Sequence, residues 1–474
     1  MNTSKIDQIV TRAMRLVGAP GAAVAVITPQ GSYVQGYGIK TLGQPDPVLP
    51  TTLFAIASVS KAFTATATAC LVDDGKLAWD DPVRKHLPAF RLLDPSADSN
   101  VTIKDVLSHR TGLPRHDALW YRTDLNRQEI LRRMAYLKPS ATYRGLYQYS
   151  NLCFMAAGEA VAATAGMPYE EFLRTRLLEP LGMHSVTFSG PGLVASPDHA
   201  NPHQRIKGRV KALEAPLDFF NVGPAGAINA SVFELQYWLK FQLSGGGEGQ
   251  PVSKKSLAET HTAQTIVPFD DLTRELYPGR LFQSYALGWS RYDWEGKLVL
   301  SHGGAIDGFR SHLVVCPTEG VAFVILVNMA SNLPEIVRNS LLDLLLGVKG
   351  GKNWHIVYQQ QAKKEAQKAR ADRKAKADKR HKGTKPSVAL AAYVGEYQDS
   401  GYGTASVRLD EGKLWLRWHA FDAPLKHWHH GTFITDTEQP GFSKLDIVFS
   451  QTAEGSVASL VLFDQIFTKT KAAD

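Results

Sequence analysis

Ser58-Val59-Ser60-Lys61 sets a hydroxyl and an amine three residues apart, and residues i and i+3 of a helix share a face. Free serine barely ionises, so it becomes a nucleophile at neutral pH only beside a base that takes its proton. Lys61 is spaced to be that base. The stretch that follows, Ala62 to Asp74, carries Phe63, Ala67, Cys70 and Leu71 at helical spacing and stops at Gly75. This predicts an amphipathic helix with Ser58 in its first turn. There the free N–H groups and the positive end of the helix favour developing negative charge. Ser60 competes for the role, but three residues beyond it stands Phe63, which has no basic atom. The pattern alone is weak, because a serine opening a helix ahead of a lysine is commonly just a cap and a solvated charge.

Two further groups change its weight. Tyr149-Ser150-Asn151 opens a second apolar helix pattern, Leu152 to Ala165, and His302-Gly303-Gly304 ends the run Lys297 to Ser301, which reads as a strand. In this order, S-x-x-K, Y-x-N and a basic residue at a glycine-containing strand end, the motifs resemble the serine β-lactamase and penicillin-binding DD-peptidase superfamily. The tyrosine form of the second motif is similar to the class C β-lactamase branch, with its esterase and D-aminopeptidase relatives. Leu107-Ser108-His109-Arg110-Thr111-Gly112-Leu113-Pro114 resembles that branch's loop after the nucleophile helix. Gly223-Pro224-Ala225-Gly226 resembles its turn before a late helix. The likeness runs over about residues 5 to 345.

The resemblance implies roles for these residues. Ser58 would attack a carbonyl and form an acyl-enzyme. Lys61 and Tyr149 would share the handling of its proton, with the initial base left open between them. A tyrosine does this only as phenolate or as a relay beside cations, so Lys61 matters electrostatically, and His302 is a second candidate. Asn151 offers an amide to orient Lys61 or the substrate's acyl side chain. The oxyanion would be held by the N–H groups of Ser58 and of Ala305, just after the His302-Gly303-Gly304 turn. No metal or organic cofactor is required.

The third motif departs from the β-lactamase pattern. Where a lysine followed by threonine holds the β-lactam carboxylate, this chain has His302, partly charged at pH 7, and Gly303, without a hydroxyl. Hydrolysis of esters or of amides and peptides, in the manner of an esterase or D-aminopeptidase, therefore ranks above β-lactamase or DD-peptidase activity. The glycine pair is expected to leave room for a bulkier substrate. Arg310 is either a replacement carboxylate contact or a solvated charge. A penicillin-binding or scaffold protein with little turnover is the reading of another class, but a scaffold has no chemical reason to keep Ser58, Lys61 and Tyr149.

The rest of the chain sets the frame. With 474 residues and 44% hydrophobic content it can bury a sizeable core and more than one domain. Cys70, Cys153 and Cys316 make an odd count without close spacing, against a disulfide framework or zinc site. In Lys426-His427-Trp428-His429-His430 the adjacent histidines would point to opposite faces of a strand, and no Cys or Asp spacing completes a metal site. The N-terminal segment is an amphipathic helix pattern broken by charges rather than a signal peptide, and no run is long enough for a membrane span. A cytoplasmic location is expected, or a periplasmic or secreted one if a leader has been removed.

The net charge of +8 is located in one place. Between Lys363 and Lys385 stand eleven Lys and Arg against three Asp and Glu, so the remainder is neutral overall. This marks a solvated helical linker rather than a nucleic-acid-binding surface. Beyond Pro386 the period changes to short strands (406–409, 413–418, 445–449 and 459–463), which predict a small antiparallel barrel. Tyr393-Val394-Gly395-Glu396-Tyr397 looks like the opening of the lipocalin-like domain that follows the hydrolase domain in some relatives. The expected fold is α+β: an antiparallel sheet flanked by helices, with a helical subdomain, over residues 1–350. A basic helical linker (351–385) and a small all-β barrel (386–474) follow. The expected partner is a small-molecule or peptide substrate, with no nucleic acid, and a homo-oligomer is left open.

Overall fold

The computed structural model describes residues 1–436 and 444–470. The chain packs as two compact units. One is Met1–Arg115 with Lys138–Tyr358, and the other is His116–Leu137 with Gln359–Asp474.

The first unit is built on an eight-stranded antiparallel sheet. Its strands are β1 (Gly21–Thr28), β2 (Gly31–Gly38), β3 (Thr265–Ile266), β4 (Gln283–Tyr285), β5 (Ser290–Trp294), β6 (Lys297–Ile306), β7 (Phe309–Cys316) and β8 (Val321–Val327), in the order β2-β1-β8-β7-β6-β5-β4-β3. All eight residues of β1 are buried, which requires cover on both faces of a strand whose side chains alternate. Helices α1 (Thr3–Val17) and α5 (Leu333–Leu345) supply one cover, packing Ile6, Val10, Ile336 and Leu341 against Val24 and Ile325. Helix α4 (Val232–Ser244) lies against β1 and β8 from the other side.

Helices α2 (Ser60–Asp73) and α3 (Asn151–Ala165) pack on each other. The sequence predicts an amphipathic α2, but every residue from Ser60 to Leu71 is buried. Its polar positions survive burial because short hydroxyls bond back to the helix: Thr66 to the Ala62 carbonyl and Thr68 to the Thr64 carbonyl, each at 2.9 Å.

Between β4 and β5 the chain turns at Gly288, with φ 78°. A side chain there would stand 2.6 Å from the Lys61 carbonyl, so this turn rests directly on α2. One strand expectation needs correction: the third motif is not a strand end. β6 continues through it to Ile306, with Gly303 opposite His312 and Gly304 opposite Ser311.

In the second unit eight strands form a closed antiparallel barrel in which each pairs with the next and the last returns to the first. They run from Gly395–Asp399 to Gln465–Lys469, an up-and-down closure that leaves no free sheet edge. Tyr397, Ala405, Val407, Leu416, Trp418 and Phe467 fill its interior. The segment His116–Leu137, which the sequence reading left in the hydrolase domain, belongs to this unit. His116 Nδ1 lies 2.9 Å from the Tyr402 hydroxyl, and Asp124 2.8 Å from His419. The basic stretch is helical over Trp354–Asp378 (α6). Trp354 and Tyr358 enter the core of the first unit, while Lys376 pairs with Asp446 at 2.7 Å. No helix among the described residues is long and apolar enough to cross a membrane.

Candidate active site

Ser58 lies in a 3₁₀ turn, Ala57–Val59, that leads into α2 rather than in the helix itself. Ala57 has φ 46°, uncommon for a residue with a Cβ. Such a conformation persists only where the surroundings over-determine it, and here they do. The Ile56 N–H bonds to the Ile228 carbonyl at 3.0 Å, and the Ile56 carbonyl accepts from Ser311 Oγ at 2.7 Å. The Ser60 hydroxyl donates to the Ala57 carbonyl at 2.7 Å and accepts from the Ile228 N–H at 3.2 Å. Ser60, the rival nucleophile, is thus a buried brace.

Lys61 and Tyr149 converge on Ser58. Lys61 Nζ lies 3.2 Å from Ser58 Oγ, and the Tyr149 hydroxyl donates to the same oxygen at 2.8 Å. Lys61 is fully buried and also donates to Asn151 Oδ1 at 2.7 Å and to the Ala225 carbonyl at 2.8 Å. An ammonium has three N–H donors, and these three acceptors match them. The bond to Asn151 Oδ1 brings that amide to Lys61, one of the two positions the sequence offers for it. The Ala225 carbonyl is invisible to a reading of side chains; the sequence marks its Gly-Pro-Ala-Gly stretch only as resembling a turn before a late helix.

The second motif is held from behind. The Gln148 N–H bonds to the His109 carbonyl at 2.7 Å, and His109 Nδ1 accepts from the Ser150 N–H at 3.1 Å. The His109 ring packs against that of Tyr149, tilted by 36° with centroids 4.4 Å apart. Burial, with Lys61, His302 and Arg115 nearby, pushes the pKa of His109 well below the ordinary histidine value, so it is neutral. Asp105 braces the same loops, accepting from Arg110, Arg144 and Tyr143. Burial would raise the Asp105 pKa, but the hydrogen bonds from Arg144, Tyr143, Thr102 and Arg110 bring it down to about 2.

His302 sits differently from its expected role as a partly charged group. It is 5% exposed. Its Nδ1 lies 2.7 Å from the Gly303 carbonyl, which can only accept, so Nδ1 carries the proton. Nε2 then accepts from the Tyr285 hydroxyl at 2.9 Å. Burial, reinforced by Lys61, pushes its pKa down to about 3, so this motif supplies no cation at neutral pH.

The glycine pair also behaves otherwise than expected. Gly304 leaves no room for substrate, since a Cβ there would stand 2.2 Å from the Ile56 carbonyl oxygen. It lets β6 press against the Ser58 turn. Only Gly303 and Ala305 are exposed, and beyond Gly303 the first obstacle is His312 Nδ1, 3.2 Å from a would-be Cβ. Arg310 donates to the Ile306 and Phe309 carbonyls, both at 2.8 Å, and so closes the β6–β7 turn. Among the described residues no group of His, Cys, Asp and Glu is placed to hold a metal ion.

Known proteins resemble this chain in sequence and in fold. A model of the beta-lactamase family matches residues 6–347, and a model described as a domain of unknown function, DUF3471, matches residues 379–473. An unguisins hydrolase of Aspergillus campestris is 29% identical over 412 residues, covering 83% of this chain and 75% of the relative. The octameric penicillin-binding protein homologue of Pyrococcus abyssi superposes with a TM-score of 0.66 at 22% identity, covering 99% of this chain and 100% of its own. The D-amino acid amidase of Ochrobactrum anthropi does so with a TM-score of 0.59 at 22% identity, over 73% of this chain and 97% of its own. Since the family model spans well over half of its length, the chain belongs to the beta-lactamase family.

Proposed function

We propose that this protein is a serine hydrolase that forms an acyl-enzyme on Ser58 and hydrolyses esters or amides and peptides. The observation that carries the reading is the convergence of Lys61 Nζ and the Tyr149 hydroxyl on Ser58 Oγ, at 3.2 and 2.8 Å. Lys61 is ringed by acceptors, which favours its charged form; that leaves Tyr149 as the group that takes the serine proton. As phenolate, Tyr149 accepts the Ser58 proton while Oγ attacks the carbonyl carbon. The same proton then passes to the leaving nitrogen or oxygen as its bond to carbon breaks. Water repeats the sequence, giving a proton to Tyr149 and attacking the acyl carbon, and Ser58 is released with its proton restored. The oxyanion falls to the N–H groups of Ser58 and Ala305, and losing one such donor typically costs about 3 kcal/mol of barrier.

Amide and ester substrates are preferred to β-lactams because the third motif is neutral and lacks a hydroxyl. A fold neighbour that is a D-amino acid amidase and a relative named as a hydrolase of unguisins support that preference. The octameric state of the Pyrococcus abyssi homologue supports a homo-oligomer here as well, which light scattering would test. The substrate class is tested by incubating the protein in parallel with an ester, a peptide amide and a penicillin, and following acylation by intact mass and product release over time. Rapid turnover of ester or amide with little turnover of penicillin is expected, and a faster penicillin reaction would reverse the order.

A further inference from the structure

Resting on the role proposed above for Tyr149, the groups around its ring identify where its electrostatic support comes from. Lys61 faces it from α2, with Nζ 4.8 Å from the ring centroid. His302 faces it from β6 at 6.3 Å between rings, and His109 from the preceding loop at 4.4 Å. The buried phenols Tyr147 and Tyr285 complete the surround, and burial raises the pKa of both. These phenols and the two histidines are neutral at pH 7. Arg115 is different: its Cζ lies 4.7 Å from the Tyr149 ring centroid, and the residue is exposed.

Arg115 is delivered to that place by a braced loop. Gly112 has φ 84°, its carbonyl accepts from the Ser140 and Ala141 N–H groups, and a Cβ on it would stand 2.4 Å from the Ala141 carbonyl oxygen. The segment leaving Gly112 is therefore fixed against the strand of chain that leads to Tyr149. The field of the Arg115 charge extends into the cluster, lowering the pKa values of both His109 and Tyr147 as one of several contributions.

We propose that the Arg115 guanidinium is a positioning residue that acts through Tyr149: the second cation of the proton relay, in place of the fixed charge that His302 does not supply. A cation beside the ring favours phenolate over phenol by direct attraction, and it holds the ring by its interaction with the π face. Arginine keeps its charge over the whole working pH range, which a histidine cannot. Because Arg115 is exposed, its influence is screened by salt.

The test is the pH dependence of kcat/KM toward a neutral p-nitrophenyl ester in the full-length protein, with Arg115→Gln and Arg115→Lys beside the wild type, at low and high salt. With Gln the acid limb moves to higher pH, giving about tenfold less activity at pH 7 and recovery toward the wild-type rate at the alkaline plateau. Lys restores most of the loss at pH 7, and high salt narrows the gap between wild type and Gln. An unmoved profile in Arg115→Gln, or a loss equal at every pH, overturns the proposal. Labelling with a fluorophosphonate separates the two levels of inference. A labelled Ser58 with an unmoved profile removes Arg115 alone, whereas an unlabelled Ser58 in the wild type removes the hydrolase reading beneath it.

Discussion

Gly304 and Ile56 approach so closely that any side chain on the glycine would overlap the Ile56 carbonyl, at 2.2 Å from its oxygen. That carbonyl already accepts from Ser311 Oγ, and the next two residues are Ala57, at positive φ, and Ser58. The third motif therefore packs its backbone directly against the turn that carries Ser58. Gly304→Ala should displace the turn, costing roughly 1–3 kcal/mol of stability and about a hundredfold in kcat/KM. Urea unfolding and ester kinetics on the same preparation check both. A stable variant with wild-type kinetics would show that the contact does not position Ser58.

Asp105 gives a pH signature for the brace behind Tyr149. Its carboxyl, ordinarily at 3.8, titrates at about 2 in the folded chain. A depressed folded value means that the stabilisation is full above the unfolded value near 4 and disappears as pH falls toward 2. Asp105→Asn should cost about 2 kcal/mol at neutral pH, and the difference from wild type should shrink between pH 4 and 2. Urea titrations at several pH values measure it. A difference that stays constant with pH would mean that the charge is not what Arg110, Arg144 and Tyr143 hold.

Ser58, Lys61, Tyr149 and Asn151 could be named from sequence because each is a distinctive residue type at the mouth of a regular helix pattern. What escaped is of another physical kind. The Ala225 carbonyl is a backbone group that no residue type announces, and its bond to Lys61 spans 164 positions. The continuation of β6 through Gly303 and Gly304 was hidden because paired glycines ordinarily signal a break. Gly304 is there instead for close approach to Ile56. The neutral state of His302 depends on burial and on the charge of Lys61, which sits on a distant helix. Four barrel strands were legible from alternation; β-strand Phe421–His429 was not, since it carries Pro424 and a register shift between His427 and His429. The grouping of His116–Leu137 with the barrel rests on contacts such as His116 to Tyr402, 286 positions apart.

A chain ending at Gly350 should not behave as a trimmed hydrolase domain. It would lose Tyr402, His419 and Gly401, the partners of His116, Asp124 and Arg133. Limited proteolysis should then cut within residues 116–137, at sites protected in the full-length protein. Equal protection in both forms would show that this segment holds itself.

The third motif can be tested by restoring what it lacks. His302→Lys with Gly303→Thr returns a cation and a hydroxyl, and the new Cβ at 303 faces His312 Nδ1 at 3.2 Å, tight but not against backbone. The ratio of kcat/KM for a cephalosporin to that for a p-nitrophenyl ester should rise by about tenfold or more. An unchanged ratio would place anion recognition elsewhere on the cleft.

Most direct of all is the mass of the protein after brief exposure to an activated ester, read together with the rate. Wild type should gain one acyl group, mapped by peptide analysis to Ser58. Ser58→Ala should gain none, stay folded, and hydrolyse the ester at least about a thousandfold more slowly. Near wild-type hydrolysis by Ser58→Ala, or an acyl group mapped to any other residue, would contradict the account.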